Sequence, residues 1–257
     1  MSEVFCQVVD QIAFVTLSNP GKLNALDVVM WDFLRKHFDA LSSDENLRCI
    51  ILRGADKNFA AGADIEEFAS VRNSLTSGMH YHNQTIALAL ASIAQCQHPV
   101  IAAIEGVCVG GGLEIACACD IRIAAPTARF GIPINRLGFP LAPGELQGLL
   151  ALTGSAIALE ILLEGRVFSA TEAKEKGLIQ RIADDVQKEA MLSANRIAAG
   201  APLAARANKR MIRRLTLNPE ALSKQEMTEA FVLLESADYS EGINSFLEKR
   251  PAQFIGK

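Results

Sequence analysis

The segment VCVGGGLEIACACD, which runs from Val107 to Asp120, places a single glutamate in an apolar stretch directly behind three glycines. A strand-like run, Val100–Glu105, precedes this segment. The glycines therefore fit a strand-to-helix turn, whose first backbone N–H groups are unpaired and point outward. Glu114 can then be a first-turn acid stabilised by the helix dipole, or a general acid or base whose pKa is raised by desolvation. The spacing alone leaves both interpretations open.

A second glycine-bearing loop of the same kind lies upstream. The loop FAAGAD, from Phe59 to Asp64, follows the buried-strand pattern Cys49–Leu52. One such loop would carry little meaning, because glycine turns are common for steric reasons. Two in one chain indicate a pair of N–H donors aimed at one negatively charged oxygen. In an oxyanion hole of this kind each donor contributes roughly 3–4 kcal/mol of transition-state stabilisation.

The hydrophobic pattern along the chain predicts an α/β fold. Two β-type runs, Val4–Val9 and Ile12–Leu17, open the chain, and Asp27 can cap a helix that follows a turn. Strands and helices then alternate loosely, which favours crossover connections. A soft boundary near residue 200 separates a body, residues 1–199, from a helical carboxyl-terminal region, residues 200–257. That region is too small to bury much surface alone, so we expect it to dock on the body or on another subunit.

Composition and charge exclude several classes of protein. The chain has 257 residues, of which 50% are hydrophobic and 21% charged, and its net charge is −4. These values are typical of a globular protein with no general attraction for nucleic acid or anionic membranes. No apolar run reaches the ~18 residues of a membrane helix, and no secretory signal is visible. The six cysteines lack paired metal spacing and fit reduced, buried thiols. A cytoplasmic location is therefore expected.

Basic residues cluster in the carboxyl-terminal region. At helical spacing they fall on more than one face, which favours a solvated surface. A phosphate contact for a nucleotide-bearing substrate is the sharper alternative, and RNA binding is a weaker one because no aromatic residues interleave with the charges. The residues are Arg206, Lys209, Arg210, Arg213 and Arg214.

Several catalytic patterns are missing from the sequence. The four histidines form neither an HExxH motif nor a cluster with cysteines, so no metal site is expected. There is no GxxxxGK[ST] phosphate loop and no GxGxxG dinucleotide motif. No GxSxG nucleophile elbow occurs either. These absences leave Glu114 as the principal candidate for acid–base chemistry.

Taken together, the motifs resemble those of the crotonase, or enoyl-CoA hydratase/isomerase, superfamily. The resemblance covers nearly the full chain and is most specific in the two glycine loops. It implies a spiral of ββα turns with a helical carboxyl-terminal region that builds trimers or dimers of trimers. It also implies acyl-CoA thioester substrates with no separate cofactor, because CoA is part of the substrate. The segments that carry it are LSNPGKLNAL (17–26), FAAGADIEEF (59–68), HPVIAAIEGVCVGGGLEIACACDIRIA (98–124), FGIPINRLGFP (130–140), FSATEAKEKGLI (168–179) and FLEKRPAQF (246–254).

The resemblance also implies a role for particular residues. The backbone N–H groups of Ala63 and Gly111 would form the oxyanion hole for the thioester, with Glu114 as the catalytic acid/base. Glycine at position 111 would let the thioester approach the backbone closely. Residues that would bind the adenine, pantetheine or acyl portions are Asn24, Ala25, Leu26, Ala61, Asp64, Ile65 and Ile134. Phe254 and Lys257, which a neighbouring subunit could contribute, would approach the nucleotide end.

The sequence departs from the family pattern at two positions. Hydratases of the family use two glutamates that flank a water molecule, and the second would fall at Ile134, whose methyl groups can neither donate nor accept a proton. Glu145 stands where the family usually has a small residue. It could reach the site as a second acid, but the sequence favours a cap for the helix that follows.

Three functions therefore stay open. The first is an enoyl-CoA hydratase-like lyase that uses Glu114, with a water molecule or Glu145 in the missing role. The second is an enoyl-CoA isomerase or an acyl-CoA decarboxylase that needs one carboxylate. The third is a non-catalytic relative that binds acyl-CoA or RNA. The hydratase-like lyase is preferred, and neither nucleic acid nor membrane is expected as a partner.

Overall fold

The protein, described by a computed structural model over residues 1–217 and 220–257, is built around two β-sheets. The larger sheet has the strand order β1-β2-β3-β4-β6-β9, and the smaller has the order β5-β7-β8. The strands are β1 (Glu3–Val9), β2 (Ile12–Ser18), β3 (Cys49–Gly54), β4 (Val100–Ile104), β5 (Val107–Val109), β6 (Ile121–Ala124), β7 (Arg129–Gly131), β8 (Phe168–Ser169) and β9 (Arg181–Ile182).

Helices connect the strands and form the carboxyl-terminal region. They are α1 (Val28–Ser42), α2 (Phe68–Val71), α3 (Leu75–His80), α4 (Ala87–Gln95), α5 (Gly111–Ala118), α6 (Pro143–Glu164), α7 (Ala170–Glu175), α8 (Val186–Ala198), α9 (Pro202–Leu217), α10 (Lys224–Phe231) and α11 (Ala237–Glu248). A π-helical turn, Tyr81–Ile86, joins α3 to α4, and 3₁₀ turns cover Ile65–Glu67, Pro133–Leu137 and Val232–Glu235. The α/β class predicted from the alternating pattern is confirmed.

The direction of the strands places both glycine loops at one edge of the larger sheet. Strand β1 pairs with β2 in antiparallel fashion, whereas β2, β3, β4, β6 and β9 are parallel. Parallel strands end at the same edge, so the loops that follow β3 and β4 meet there. Strand β4 is buried along its whole length, as expected for a parallel strand covered on both faces.

Helix α1 shows how local sequence sets an element of the core. The Asp27 carboxylate accepts a hydrogen bond from the Met30 N–H at 2.8 Å, which confirms the predicted cap. The apolar side chains of α1 recur at helical spacing, so they form one face that packs into the core. The buried residues of this face are Met30, Trp31, Leu34, Phe38 and Leu41.

Helix α9 binds the body of the protein through its basic residues. The Lys209 ammonium lies 2.7 Å from the Asp120 carboxylate, and the Arg213 guanidinium lies 3.0 Å from it. The Arg206 guanidinium donates to the Glu45 carbonyl. The expectation of a mainly solvated surface is therefore wrong for these three residues, because helix docking gives them partners on the body. Arg210 is exposed, as predicted.

Helix α6 was compared with the length and apolar composition that a membrane-spanning helix requires. Within the described residues, it is the one helix long and apolar enough to cross a bilayer by length and composition. Apolar helices of soluble proteins meet the same criteria. The chain also leaves helical geometry at Gly154 (φ 71°, ψ 175°), which divides α6 into two parts.

Candidate active site

Backbone contacts hold the two glycine loops side by side. Ala60 pairs with Cys108 as an isolated parallel bridge, and the Val109 N–H donates to the Ala60 carbonyl at 3.0 Å. A side chain at Gly112 would put its Cβ 2.3 Å from that same carbonyl oxygen, so only glycine permits this approach. The loops, which are separated by about fifty residues in the sequence, thus form one surface.

The backbone N–H groups of Ala63 and Gly111 lie next to each other on that surface. A Cβ built on Gly111 would be 3.5 Å from the Ala63 nitrogen, and one built on Gly62 would be 3.2 Å from the Gly111 nitrogen. Gly111 begins α5, where an N–H group has no partner within the helix. Ala63 pairs with Leu26 through its neighbours: the Leu26 N–H donates to the Gly62 carbonyl, and the Asp64 N–H donates to the Leu26 carbonyl. The Ala63 N–H therefore points away from that bridge.

Glu114 lies inside the protein one turn into α5. Its residue is 7% exposed, and every other residue of the helix is buried as well. Burial raises the pKa of Glu114 well above its ordinary value, and the neighbouring Glu145 carboxyl raises that pKa further. A carboxyl group in this environment keeps its proton at pH values where an exposed glutamate has lost it. The arrangement suits a general acid better than a helix-end charge.

Glu145, in the first turn of α6, faces the same interior. Its Oε1 atom lies 2.6 Å from His82 Nδ1, and the two residues are 4% and 7% exposed. Among the described residues, the Glu145 side chain makes its hydrogen bond with His82. The favoured prediction, a carboxylate that caps α6, is therefore not what the structure shows. The Glu145 carboxyl binds His82 instead.

Ile134 lies in the 3₁₀ turn Pro133–Leu137 and packs, half-buried, against the hydrophobic core. It brings methyl groups where the family's second glutamate would stand. Asn135 points away, because its amide donates to the Leu163 carbonyl. The adjacent residues therefore do not replace the missing carboxylate. Glu145 comes from the next helix.

The predicted CoA-binding residues lie along the same edge of the sheet. Asn24 is buried, and its side-chain amide holds the loop in place by donating hydrogen bonds to the carbonyls of Ala55 and Asn58. The Ala61 N–H donates to the Leu23 carbonyl, which ties the two predicted binding segments together. Asp64 caps the following turn and binds the Lys22 ammonium at 2.7 Å, and Ile65 is exposed. Ala25 contributes its carbonyl, which accepts a hydrogen bond from Asn19.

Phe254 and Lys257 lie elsewhere within this chain. Phe254 packs near Gly242 of α11, and the Lys257 carbonyl accepts a hydrogen bond from the Asp238 N–H. The neighbouring Gly256 approaches Arg48. Arg48 directly precedes β3, so this tail lies near the end of the sheet opposite to the glycine loops. The structure of a single chain does not bring these two residues to the site.

Three residues near the carboxylates were not identified from the sequence. His82 supports Glu145, and its ring stacks on Phe139 with centroids 5.0 Å apart. The Trp31 ring closes one side of the surface that carries the Ala63 and Gly111 N–H groups, since a Cβ on Gly111 would lie 2.9 Å from Trp31 Cζ2. Burial raises the pKa of the Tyr81 phenol above its ordinary value, and the negative charge of Glu67 raises it further. The signal in the sequence was the polar, aromatic run HYH in an otherwise helical segment.

No group of three or more metal-binding side chains occurs within the described residues. The polar groups gathered at the site are two backbone N–H groups, two carboxyl groups and an imidazole. Such a set stabilises an oxyanion and moves protons.

The sequence model of a family described as "Enoyl-CoA hydratase/isomerase" matches residues 8–257. A crystal structure of an enoyl-CoA hydratase/carnithine racemase from Magnetospirillum magneticum has a TM-score of 0.96 and 43% identity, over 100% of this chain and 97% of that one. The probable enoyl-CoA hydratase echA8 of Mycobacterium bovis is 35% identical over 95% of this chain and 94% of its own.

An isomerase is also among the relatives. The peroxisomal Delta(3,5)-Delta(2,4)-dienoyl-CoA isomerase of Arabidopsis thaliana is 30% identical over 93% of this chain and 90% of its own. The structural match confirms the expected crotonase fold with its helical carboxyl-terminal region. The chain belongs to the enoyl-CoA hydratase/isomerase family, within the crotonase superfamily.

Proposed function

We propose that this enzyme is an enoyl-CoA hydratase-like lyase that uses Glu114 together with Glu145. The observation that carries the proposal is the buried Glu145 carboxyl, held by His82 and close enough to Glu114 to raise its pKa. Two carboxyl groups in one buried site do not both ionise readily, so one serves as acid and the other as base. The missing glutamate at position 134 is thereby supplied from a different element.

The proposed reaction adds water across the double bond of a 2-enoyl-CoA. Ionised Glu145 accepts a proton from water while the hydroxyl oxygen bonds to C3 of the acyl chain. The electrons of the double bond move toward the thioester, whose oxygen accepts hydrogen bonds from the N–H groups of Ala63 and Gly111. Protonated Glu114 then delivers its proton to C2 as the enolate collapses. Proton transfer from Glu145 to Glu114 restores the starting state.

A second candidate is an isomerase that shifts a double bond with Glu114 alone. It is supported by Ile134 in place of the second family glutamate and by the dienoyl-CoA isomerase among the relatives. The same enolate would also serve decarboxylation of a malonyl-type thioester. The non-catalytic alternative is disfavoured, because Glu114 and both N–H donors are present. Its RNA-binding form is disfavoured further, since Lys209 and Arg213 are paired with Asp120.

A substrate panel separates these functions. The purified protein is incubated with 2-enoyl-, 3-enoyl- and malonyl-type CoA thioesters, and the products are identified by mass spectrometry and NMR. The proposal requires a 3-hydroxyacyl-CoA from the 2-enoyl thioester as the fastest reaction. A shifted double bond as the main product would support the isomerase instead. Calorimetry with CoA and acetyl-CoA completes the test, because a protein that binds neither is not an acyl-CoA enzyme.

We further propose a homotrimer or a dimer of trimers. Apolar side chains of the carboxyl-terminal region face solvent in the single chain: Phe231 is 60%, Phe246 82% and Leu247 71% exposed. Exposed apolar patches of this kind mark association surfaces. Light scattering after size-exclusion chromatography would give the mass. The cytoplasm is the proposed location, supported by six free thiols, of which five are buried.

A further inference from the structure

A closed ring of side-chain contacts forms a wall next to Glu145. From one side, the Tyr81 ring meets the Phe68 ring edge-on, with centroids 6.3 Å apart. From the other side, Glu145 binds His82, whose ring stacks on Phe139. Tyr81 and His82 also contact each other at 5.3 Å and close the ring on the inside.

Arg72 joins the two sides of this wall at the point opposite to the carboxylates. Its guanidinium carbon lies 4.4 Å from the centroid of Phe68 and 4.3 Å from the centroid of Phe139. Phe68 and Arg72 are four residues apart on one helical turn, and the Arg72 N–H donates to the Phe68 carbonyl, so both side chains lie on one face. Phe139 belongs to the segment that leads into α6 and Glu145. The arginine is thus held in place by both sides of the site.

The guanidinium of Arg72 has no acidic partner among the described residues. Its ion-pairing edge makes no hydrogen bond or salt bridge with their side chains, although other half-buried arginines, such as Arg213 and Arg181, are paired with carboxylates. Two aromatic rings cover the guanidinium and leave its edge open, the geometry in which arginine binds a planar carboxylate through two parallel hydrogen bonds. Contacts through Phe139 and His82 connect this guanidinium to Glu145. A half-buried cation with no acidic partner among the described residues favours an anionic ligand.

We propose that Arg72 binds a carboxylate at the far end of the acyl chain, so that the preferred substrates are CoA monothioesters of unsaturated dicarboxylic acids. The thioester would lie at Ala63 and Gly111, the reacting carbons between Glu114 and Glu145, and the terminal carboxylate against the edge of Arg72. The aromatic rings of Phe68, Tyr81 and Phe139 would cover the methylene groups between them. The position of the thioester in this proposal rests on the proposed function. The preference of Arg72 for an anionic group does not depend on it.

The test compares two substrates of equal length. Hydration of trans-2-hexenoyl-CoA and of its ω-carboxylated counterpart, 2-hexenedioyl-CoA, is measured with the wild-type enzyme, Arg72→Gln and Arg72→Lys. We expect the wild-type kcat/KM to favour the carboxylated substrate about 10- to 100-fold. Arg72→Gln should abolish that preference by lowering kcat/KM for the carboxylated substrate, with a change within about twofold for the neutral one. Arg72→Lys should keep part of it, because the charge remains while the paired hydrogen bonds are lost.

The controls separate this inference from other roles of Arg72. Arg196→Gln, at an exposed arginine of α8, should leave kcat/KM unchanged for both substrates. Equal kcat/KM values of the wild-type enzyme for the two substrates would overturn the inference. So would an equal loss for both in Arg72→Gln, which would place Arg72 on the CoA phosphates or in the fold. If neither substrate is hydrated, the proposed function fails. Calorimetry with hexanoyl-CoA and adipyl-CoA then still decides the charge preference.

Discussion

The imidazole Nδ1 of His82 lies 2.6 Å from Oε1 of Glu145, and both side chains are buried. A buried carboxyl group without a hydrogen-bond partner would be costly, and His82 supplies that partner to Glu145. The π-helical turn that begins at Tyr81 presents His82 to the site, and stacking on Phe139 fixes the plane of its ring. The Glu114 carboxyl has no such partner among the described residues, and burial raises its pKa well above the ordinary value. This difference in surroundings supports the different roles proposed for the two carboxyl groups.

The first prediction concerns this division of roles. Glu145→Gln should lower kcat for hydration of a 2-enoyl-CoA about 10²-fold or more, because the base that accepts the proton from water is lost. His82→Phe keeps a ring on Phe139 but removes the hydrogen bond, and it should lower kcat in the same direction by a smaller factor. Binding of acyl-CoA, measured by calorimetry, should change much less in both variants, because the proposed thioester contacts are backbone N–H groups. Glu175→Gln, at an exposed glutamate of α7, serves as the control. An unchanged kcat for hydration in Glu145→Gln would contradict a water-activating role for Glu145.

The second prediction uses the raised pKa of Glu114, whose ordinary value is 4.5. In the folded protein this carboxyl stays protonated above that pH, whereas in the unfolded chain it ionises there. The unfolded state then binds fewer protons, so the contribution of Glu114 to stability is lost as pH rises from the unfolded toward the folded pKa. Each pH unit in that window changes the free energy of unfolding by up to about 1.4 kcal/mol.

Glu114→Gln removes this dependence. Urea unfolding of both proteins at about pH 5 and about pH 8 should show the variant gaining stability relative to the wild-type protein at the higher pH. The same variant should bind acyl-CoA normally and turn it over about 10²-fold more slowly or worse. Parallel stability curves for the two proteins would show that the folded pKa of Glu114 is not raised.

The sequence was sufficient for the fold and for half of the site. Strands β3 and β4, the Asp27 cap and the two glycine loops follow from local patterns and backbone geometry, which the chain encodes within a few residues. Glu145 and His82 are 63 residues apart and meet through the packing of α6 on the π-helical turn. The local pattern at Glu145 is that of a helix-end acid, and only tertiary packing turns its carboxyl inward. The solvated surface predicted for Lys209 and Arg213 is wrong for the same reason, because their partner Asp120 lies far away in the sequence.

The third prediction concerns the surface formed by the backbone N–H groups of Ala63 and Gly111. Gly111→Ala would place a methyl group 2.9 Å from Trp31 Cζ2 and 3.5 Å from the Ala63 nitrogen, so it must displace the indole and narrow the space for the thioester oxygen. We expect kcat to fall about 10²-fold or more, the loss typical of one removed oxyanion donor. Gly78→Ala, at a helical glycine with open space around it, should keep full activity and stabilise the fold by about 0.5–1 kcal/mol. Full activity of Gly111→Ala would show that the thioester does not bind there.

The fourth prediction concerns the docking of α9. Asp120 neutralises Lys209 and Arg213, and its carboxylate also accepts a hydrogen bond from the Val100 N–H at 2.8 Å. Asp120→Asn keeps an oxygen for Val100 but leaves two cations without their counter-charge, and Lys209 is largely buried there. We expect a loss of about 2 kcal/mol in the free energy of unfolding, measured by urea titration. Asp32→Asn, which removes a solvent-exposed partner of Lys36, should cost less than about 0.5 kcal/mol. Equal costs for the two substitutions would mean that the Asp120 ion pairs do not hold α9 against the body.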